Sequence, residues 1–133
     1  MKVYLAGPMH RQSDADCKGW RSVAATALGL AGHAVLDPMS RDYRGSEDDN
    51  ADDIVQRDLE DIEQCDVVLV NACFPSWGTA MELVYAKQYG KQIVAYSHAP
   101  SISPWLRYHT DAVFSDLSLA IDGIVSGSSI GMR

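Results

Sequence analysis

The sequence predicts a single α/β domain over residues 1–133, doubly wound around a mainly parallel, five-stranded sheet. Five short apolar runs alternate along the chain with segments of helical periodicity. The third run, 66–71, is apolar almost throughout, as a central parallel strand buried on both faces should be. A chain of 133 residues has the usual size of one domain. Strands that alternate with helices give a parallel sheet with helices on both faces.

The first strand and the first helix have clear boundaries. Residues 3–6 are apolar and stop at a Gly-Pro pair, which is typical of a strand that enters a loop. Ser13 or Asp14 then begins a helix whose apolar residues follow at helical spacing as far as Leu30. Gly32 ends this helix, because glycine suits the left-handed position after a helix.

The middle of the chain gives two further strands and the second helix. Residues 34–36 form a short strand that an Asp-Pro pair closes. The acidic run 47–53 is expected to be a solvated loop and helix start, since carboxylates suit the positive end of a helix. The helix itself covers about 53–64, and the central strand 66–71 follows it.

The last third completes the alternation. A helix is predicted over about 79–89, and Gly90 stops it. Residues 92–96 form the fourth strand and 112–114 a short fifth one, after which a helix covers 117–124. Ligands in such sheets bind beyond the carboxyl ends of the strands, so the loops there are where chemistry is expected.

Composition excludes several classes of partner. The net charge of −7 and the pI near 4.8 argue against nucleic-acid polymers and anionic membrane surfaces. No apolar run approaches the roughly 18 residues of a membrane span, and a strand pattern directly after Met1 predicts no signal peptide. The three cysteines and four histidines have no metal-ligand or disulfide spacing. We therefore expect a cytoplasmic protein without a metal.

Asp58 is an acidic residue on the apolar face of the second helix. It lies four residues after Ile54 and four before Ile62, so it projects into the apolar sector. An inward carboxylate must be paired, hydrogen-bonded or protonated, which predicts a raised pKa suited to acid–base chemistry. Alternatively Asp58 lies at the rim of that face and pairs with an arginine. The apolar sector comprises Ile54, Val55, Leu59, Ile62 and Cys65, and the candidate arginines are Arg41, Arg44 and Arg57.

Glu82 is a second candidate, in the first turn of the third predicted helix. The residues Thr79 to Glu82 match a capping box, in which the glutamate bonds back to the Thr79 amide. The helix start, however, lies over the carboxyl edge of the sheet, where a substrate would bind. Two carboxylates that converge on one cleft are the arrangement used in glycosidic chemistry.

The loop after the first strand offers a weaker signal. The glycine turn at Gly7 and the following Arg11 could cradle hydroxyls or a phosphate through backbone N–H groups and charge, whereas His10 is expected at the surface. The loop lacks the spacing of a phosphate-binding or dinucleotide motif, so a plain turn remains the alternative.

These segments together resemble the nucleoside 2-deoxyribosyltransferases, from residue 3 to about residue 120. The segments that carry the resemblance are 4–9, 37–45, 66–71 and 78–86, with Asp58 and Gly90-Lys91. The resemblance implies a flavodoxin-like sheet and a retaining, double-displacement mechanism that uses no metal or organic cofactor. Its small-molecule partners are a nucleoside or nucleotide and a free nucleobase.

The resemblance also implies individual roles. Glu82 matches the nucleophile that forms a covalent glycosyl intermediate, Asp58 the carboxylate that handles the proton of the nucleobase, and Tyr4 a phenol that orients the nucleophile. Gly7 and Met9 match residues that line the sugar pocket. Gly78, which begins the segment that contains Glu82, is expected to bind the substrate as well. In the transferases a neighbouring subunit supplies the residue at the place of Ser101, so a homo-oligomer is implied.

Two departures from the transferase pattern leave the acceptor of the sugar open. Ser101 stands where the transferases carry an asparagine that holds the sugar 5′-hydroxyl. The stretch around Ser76 is similar to the deoxynucleoside-monophosphate N-glycosidases, in which serines and an arginine hold a 5′-phosphate and water takes the sugar. Transfer to a base is favoured by possible stacking surfaces, and hydrolysis of a 5′-monophosphate by possible phosphate ligands. The stacking candidates are Tyr43, Arg44, Trp77 and Trp105, and the phosphate ligands Ser76, Ser101 and Arg11. A non-catalytic nucleotide-sensing module and an enzyme that cleaves NAD are the remaining alternatives.

Overall fold

Five parallel strands form one sheet in the computed structural model, which describes residues 1–127. The strands are β1 (Lys2–Ala6), β2 (Ala34–Leu36), β3 (Val67–Asn71), β4 (Gln92–Tyr96) and β5 (Ala112–Phe114). Their order in the sheet is β2-β1-β3-β4-β5, and every neighbouring pair is parallel. This is the flavodoxin-like order, so the predicted fold class is confirmed. Residues 128–133 of the predicted domain lie outside the described part of the chain.

Helices cover both faces of the sheet. They are α1 (Asp14–Leu30), α2 (Ala51–Gln64), α3 (Trp77–Gln88), α4 (Pro104–His109) and α5 (Leu117–Ser126), with 3-10 turns at Pro38–Ser40 and Asp48–Asn50. The boundaries predicted for α2 and α3 were each two residues late at the start. The short helix α4 was not predicted, because its six residues are too few to establish a helical period. None of the helices in residues 1–127 is long and apolar enough to cross a membrane.

The strand alternation of β1 divides the core into two layers. Val3 and Leu5 pack with α1 and α5, whereas Tyr4 and Ala6 pack on the opposite face with α2 and α3. This period of two follows from the pleat of a strand. The Tyr4 side chain is therefore directed to the layer that also carries the two acidic candidates.

The apolar face predicted for α2 is only partly buried. Ile62 and Cys65, at the end of the helix, are buried, but Val55 is more than half exposed, so its assignment to the inward face was wrong. Asp58 is inward and only about one-fifth exposed. The start of this helix thus forms a wall of a cleft, and its end belongs to the core.

Candidate active site

A cavity of about 170 Å³ lies at the carboxyl edge of the sheet, above β1 and β3. In this strand order the chain crosses the sheet in opposite directions from these two strands, which leaves a crevice between the loops that follow them. Most of the predicted site residues reach this cavity. Those on its wall are Gly7, Met9, Tyr43, Arg44, Asp58, Ser76, Gly78 and Glu82.

A hydrogen bond between Tyr4 and Glu82 connects the sheet to helix α3. The Tyr4 side chain is completely buried, and its phenolic O–H donates to Glu82 Oε2. Burial, followed by the negative charge of Glu82, raises the pKa of Tyr4 well above its usual value, so the phenol stays a donor. Tyr4 thus fixes the orientation of one carboxylate oxygen and leaves the other oxygen for chemistry.

The alternative role of Glu82 as a helix cap is wrong. Helix α3 begins at Trp77, and the Ser76 hydroxyl caps it by accepting from the Thr79 amide at 3.3 Å. Glu82 lies a full turn farther into the helix than a capping box requires, and its side chain bonds to Tyr4 instead. Burial first, and then the charge of Asp58, raise the pKa of Glu82 to about 8.

Asp58 faces Glu82 from helix α2 and is paired with an arginine. Arg41 Nη2 donates to Asp58 Oδ1 at 3.2 Å, so Asp58 is both inward and paired. The other two candidate arginines are engaged elsewhere, Arg44 with Asp14 and Asp42 and Arg57 with Asp53. Burial raises the pKa of Asp58 to about 6, and Arg41 limits the rise.

The two carboxyl groups differ in environment, and this suits them to different roles. Between about pH 6 and pH 8 the pair holds one proton, because burial raises both pKa values and the charge of Asp58 raises that of Glu82 further. An ionised carboxylate that attacks carbon, beside a carboxylic acid that protonates a leaving group, is the pair required to break a glycosidic bond. The lower pKa of Asp58 places this proton mainly on Glu82. Glu82, oriented by Tyr4, fits the first role and Asp58 the second once the proton has passed from Glu82 to Asp58, so the reactive form of the pair is the less populated one.

Arg21 is a buried cation beneath the cavity that the sequence-based prediction missed. Only 1% of it is exposed. Its Nη1 donates to the Leu5 carbonyl at 2.8 Å and to Asp37 Oδ1 at 2.9 Å, and its Nη2 donates to the Gly7 carbonyl at 3.0 Å. These bonds hold the end of β1 against the loop after β2. The cation also favours ionisation of Glu82 and Asp58, whose pKa values it lowers as a minor effect.

Arg21→Met is expected to lower the free energy of unfolding by about 3 kcal/mol or more, because it removes the guanidinium from a largely buried carboxylate and from two carbonyls. Urea denaturation followed by circular dichroism measures the change. Arg57→Met is the matched control, since Arg57 pairs with Asp53 on the surface, where ion pairs contribute less than about 1 kcal/mol. Equal midpoints for the two variants would contradict this role of Arg21.

The loop after β1 reaches the cavity at some of its predicted positions. Gly7 and Met9 line the cavity, and a Cβ atom at Gly7 would lie 2.7 Å from the Trp20 ring, so only glycine fits there. Arg11 is exposed, adopts a left-handed φ of 59°, and is not on the cavity wall. His10 is on the wall instead, where its Nδ1 lies 2.8 Å from Glu47 Oε2.

The loop after β2 closes the cavity from the other side. Tyr43 is hydrogen-bonded to Asp53 through its phenol, and Arg44 Nη1 donates to the Gln12 carbonyl at 3.0 Å. Together with the ion pair between Arg44 and Asp14, these contacts attach the loop to α2 and to the start of α1. Tyr43 and Arg44 are therefore held as a wall of the cavity.

Ser101 and Trp105 do not reach the Glu82 cavity within one chain. They line a second cavity of about 750 Å³ between α3 and the segment after β4, and the two cavities share Ser76 and Thr79. The rim of the second cavity carries Trp77, which is 85% exposed, and Trp105, which is 77% exposed. These two predicted stacking residues thus lie on an apolar surface beside the site.

The chain matches a family model described as nucleoside 2-deoxyribosyltransferase over residues 3–117. Its fold is similar to a 2-deoxyribosyltransferase from Bacillus psychrosaccharolyticus, with 23% identity over 92% of this chain and 91% of that one and a TM-score of 0.73. It is also similar to a 2-deoxyribosyltransferase from Leishmania mexicana, with 17% identity over 94% of this chain and 97% of that one and a TM-score of 0.68.

A third similar structure is a CMP N-glycosidase from Clostridium botulinum, with 16% identity over 93% of this chain and 98% of that one and a TM-score of 0.66. A comparison with curated proteins gave no match. The family model covers most of the chain, from the first strand to the start of the last helix, and includes all three candidate catalytic residues. The protein belongs to the nucleoside 2-deoxyribosyltransferase family.

Proposed function

We propose that the protein cleaves the N-glycosidic bond of a deoxynucleoside and transfers the deoxyribosyl group to another nucleobase through a covalent intermediate on Glu82. The observation that carries the proposal is the bond from the buried Tyr4 phenol to Glu82, in a cavity whose wall also holds Asp58. Family membership supports it independently. A non-catalytic module would have no use for a nucleophile oriented in this way, with a helix that Ser76 already caps.

The first step forms the intermediate. The free oxygen of the Glu82 carboxylate attacks C1′ of the sugar while the bond from C1′ to the base nitrogen breaks. Asp58 gives its proton to the leaving base, which departs neutral. The transition state resembles an oxocarbenium ion, so the negative charge of Glu82 stabilises it. Tyr4 holds the carboxylate in place throughout and does not exchange its proton.

The second step releases the sugar. A nitrogen of an incoming base attacks C1′ from the face that the first base left, and its proton returns to Asp58. The ester bond to Glu82 breaks, and the carboxylate re-forms. Two inversions at C1′ give net retention of configuration.

Hydrolysis of a deoxynucleoside 5′-monophosphate is the second candidate function. The start of α3 lies on the cavity wall, where Ser76, Gly78 and Thr79 accompany Glu82. The Thr79 hydroxyl is buried and has no hydrogen-bond partner within residues 1–127. Hydroxyls and backbone N–H groups at the positive end of a helix favour a phosphate. In this reaction water replaces the second base, giving its proton to Asp58 and its hydroxyl to C1′.

A product assay separates the two functions. Deoxynucleosides, and separately their 5′-monophosphates, are incubated with the protein with and without a second free base, and the products are resolved by chromatography. Formation of a new nucleoside is expected, because the covalent intermediate can then pass its sugar to a base. Free sugar or sugar phosphate formed at the same rate whatever base is added would overturn transfer and support hydrolysis.

We also propose that the active unit is a homo-oligomer. Trp77 and Trp105 are exposed on the wall of the second cavity together with Phe74, so this wall presents large apolar side chains to solvent. Exposed apolar areas of this kind mark association surfaces. Sedimentation velocity at assay concentration is expected to show an oligomer, and full activity in a monomer would contradict the proposal.

A further inference from the structure

Arg41 occupies a position in the cavity that the predicted roles leave unassigned. It follows the 3-10 turn Pro38–Ser40, lies on the cavity wall, and its side chain is only 22% exposed. Its Nη2 donates to Asp58 Oδ1 at 3.2 Å and to Asp61 Oδ2 at 2.8 Å. Asp61 is itself only 17% exposed on the same helix as Asp58. The two carboxylates therefore fix the guanidinium beside the acid that protonates the leaving base.

The guanidinium retains donors for a ligand. Arginine has five N–H groups in a planar fork, and both bonds that Arg41 makes within residues 1–127 leave from Nη2. Nε and Nη1 are therefore available to a group that enters the cavity. Arg44, which the sequence predicted as a stacking surface, donates from Nε to Asp42, from Nη1 to the Gln12 carbonyl and from Nη2 to Asp14.

We propose that Arg41 selects the nucleobase by donating to a carbonyl oxygen next to the ring nitrogen that faces Asp58. This proposal rests on the proposed function, since it assigns the base-recognition half of the same site. A 6-oxopurine such as hypoxanthine places two acceptors, N7 and O6, side by side. Asp58 in its protonated form donates to N7, and Arg41 donates to O6. Adenine carries an amino group in place of O6, so a donor would meet a donor.

The selectivity is expected to be large for a single contact. A site built to donate to an oxygen rejects an analogue that offers no acceptor, because its buried donor is then left unpaired. We expect hypoxanthine to be preferred over adenine by about tenfold or more. Loss of Arg41 also alters Asp58, but that change affects both bases, so the ratio between bases reports on Arg41 itself.

The test measures this ratio by turnover and by binding. The kcat/KM values for deoxyinosine and deoxyadenosine, and for their 5′-monophosphates, are compared in the wild type and in Arg41→Met, Arg41→Lys and Arg57→Met. Arg57→Met is the matched control. It also removes an arginine, but Arg57 precedes Asp58 in the sequence and pairs with Asp53 on the surface. Calorimetry measures binding of the same ligands without turnover. It compares the Glu82→Ala variant with the double variant Glu82→Ala, Arg41→Met.

The preference for the oxopurine is expected in the wild type and in Arg57→Met, reduced in Arg41→Lys and lost in Arg41→Met. The same order is expected in the binding data. An unchanged ratio in Arg41→Met, while both substrates still turn over, would overturn the role of Arg41 and leave the proposed function intact. Selective binding that depends on Arg41, without turnover of any ligand by the wild type, would uphold the recognition and overturn the proposed function.

Discussion

Glu82→Gln is expected to abolish cleavage of the glycosidic bond, with kcat lowered by about three orders of magnitude or more. The amide can still accept the bond from the Tyr4 phenol, so the geometry of helix α3 is preserved. It is not a nucleophile and carries no negative charge to stabilise the oxocarbenium-like transition state. Release of free base from a deoxynucleoside, followed by chromatography, measures the rate.

The control must separate chemistry from folding. Glu60→Gln makes the same chemical change at an exposed position on α2 and is expected to leave the rate unchanged. Thermal unfolding of Glu82→Gln should stay close to that of the wild type, because a neutral amide replaces a half-buried carboxyl whose pKa is about 8. Near-normal turnover by the folded variant would remove Glu82 from the mechanism.

Asp58→Asn is expected to slow cleavage by about a hundredfold or more for bases that leave poorly, and much less for bases that leave well. Asparagine keeps the shape of the side chain but cannot deliver a proton. A purine methylated at N7 already carries a positive charge and leaves without protonation, so its nucleoside should be almost insensitive to the change. The measurement is the ratio of rates, wild type over variant, across a series of leaving bases.

The pH dependence checks the same assignment. Because the active pair must hold one proton, kcat/KM of the wild type should rise through a pKa near 6 and fall through a pKa near 8. Asp58→Asn removes the acid, so the fall at alkaline pH should disappear and a single rise should remain, at the pKa of a Glu82 that is buried but no longer faces the charge of Asp58. An equal loss of rate for all bases, with both limbs retained, would assign Asp58 a purely structural role.

The fold was predictable because its determinants are local. Each strand is a short apolar run with a turn signal behind it, and β3 is buried along its whole length. The inward direction of Tyr4 follows from the strand period alone. The start of α3 was not predictable to the residue, because Ser76 and Thr79 are both good caps in the same turn. That difference of a few residues separated a capping role for Glu82 from its bond to Tyr4 in the cavity.

Some site residues gave a usable signal and others gave none. Arg21 lies one residue after Trp20 and three before Ala24, within the buried face of α1, so an inward charge was as visible there as at Asp58. Whether Arg41 or Arg44 reaches Asp58 depends on the path of an irregular loop. Such a loop has no helical or strand periodicity from which the direction of a side chain could be predicted. The separation of Trp105 from the Glu82 cavity is likewise set by tertiary packing.

Trapping of the intermediate tests the central claim most directly. A 2-fluoro-2-deoxyribosyl nucleoside slows both steps by destabilising the oxocarbenium-like transition state, so that the sugar remains on the enzyme. The protein is incubated with this compound, and in parallel with its 5′-monophosphate, then digested and examined by mass spectrometry. One fluorinated sugar, or sugar phosphate, is expected on the peptide that contains Glu82, and none on Glu82→Gln. Release of one equivalent of base with no adduct on Glu82, or an adduct on another residue, would contradict the claim.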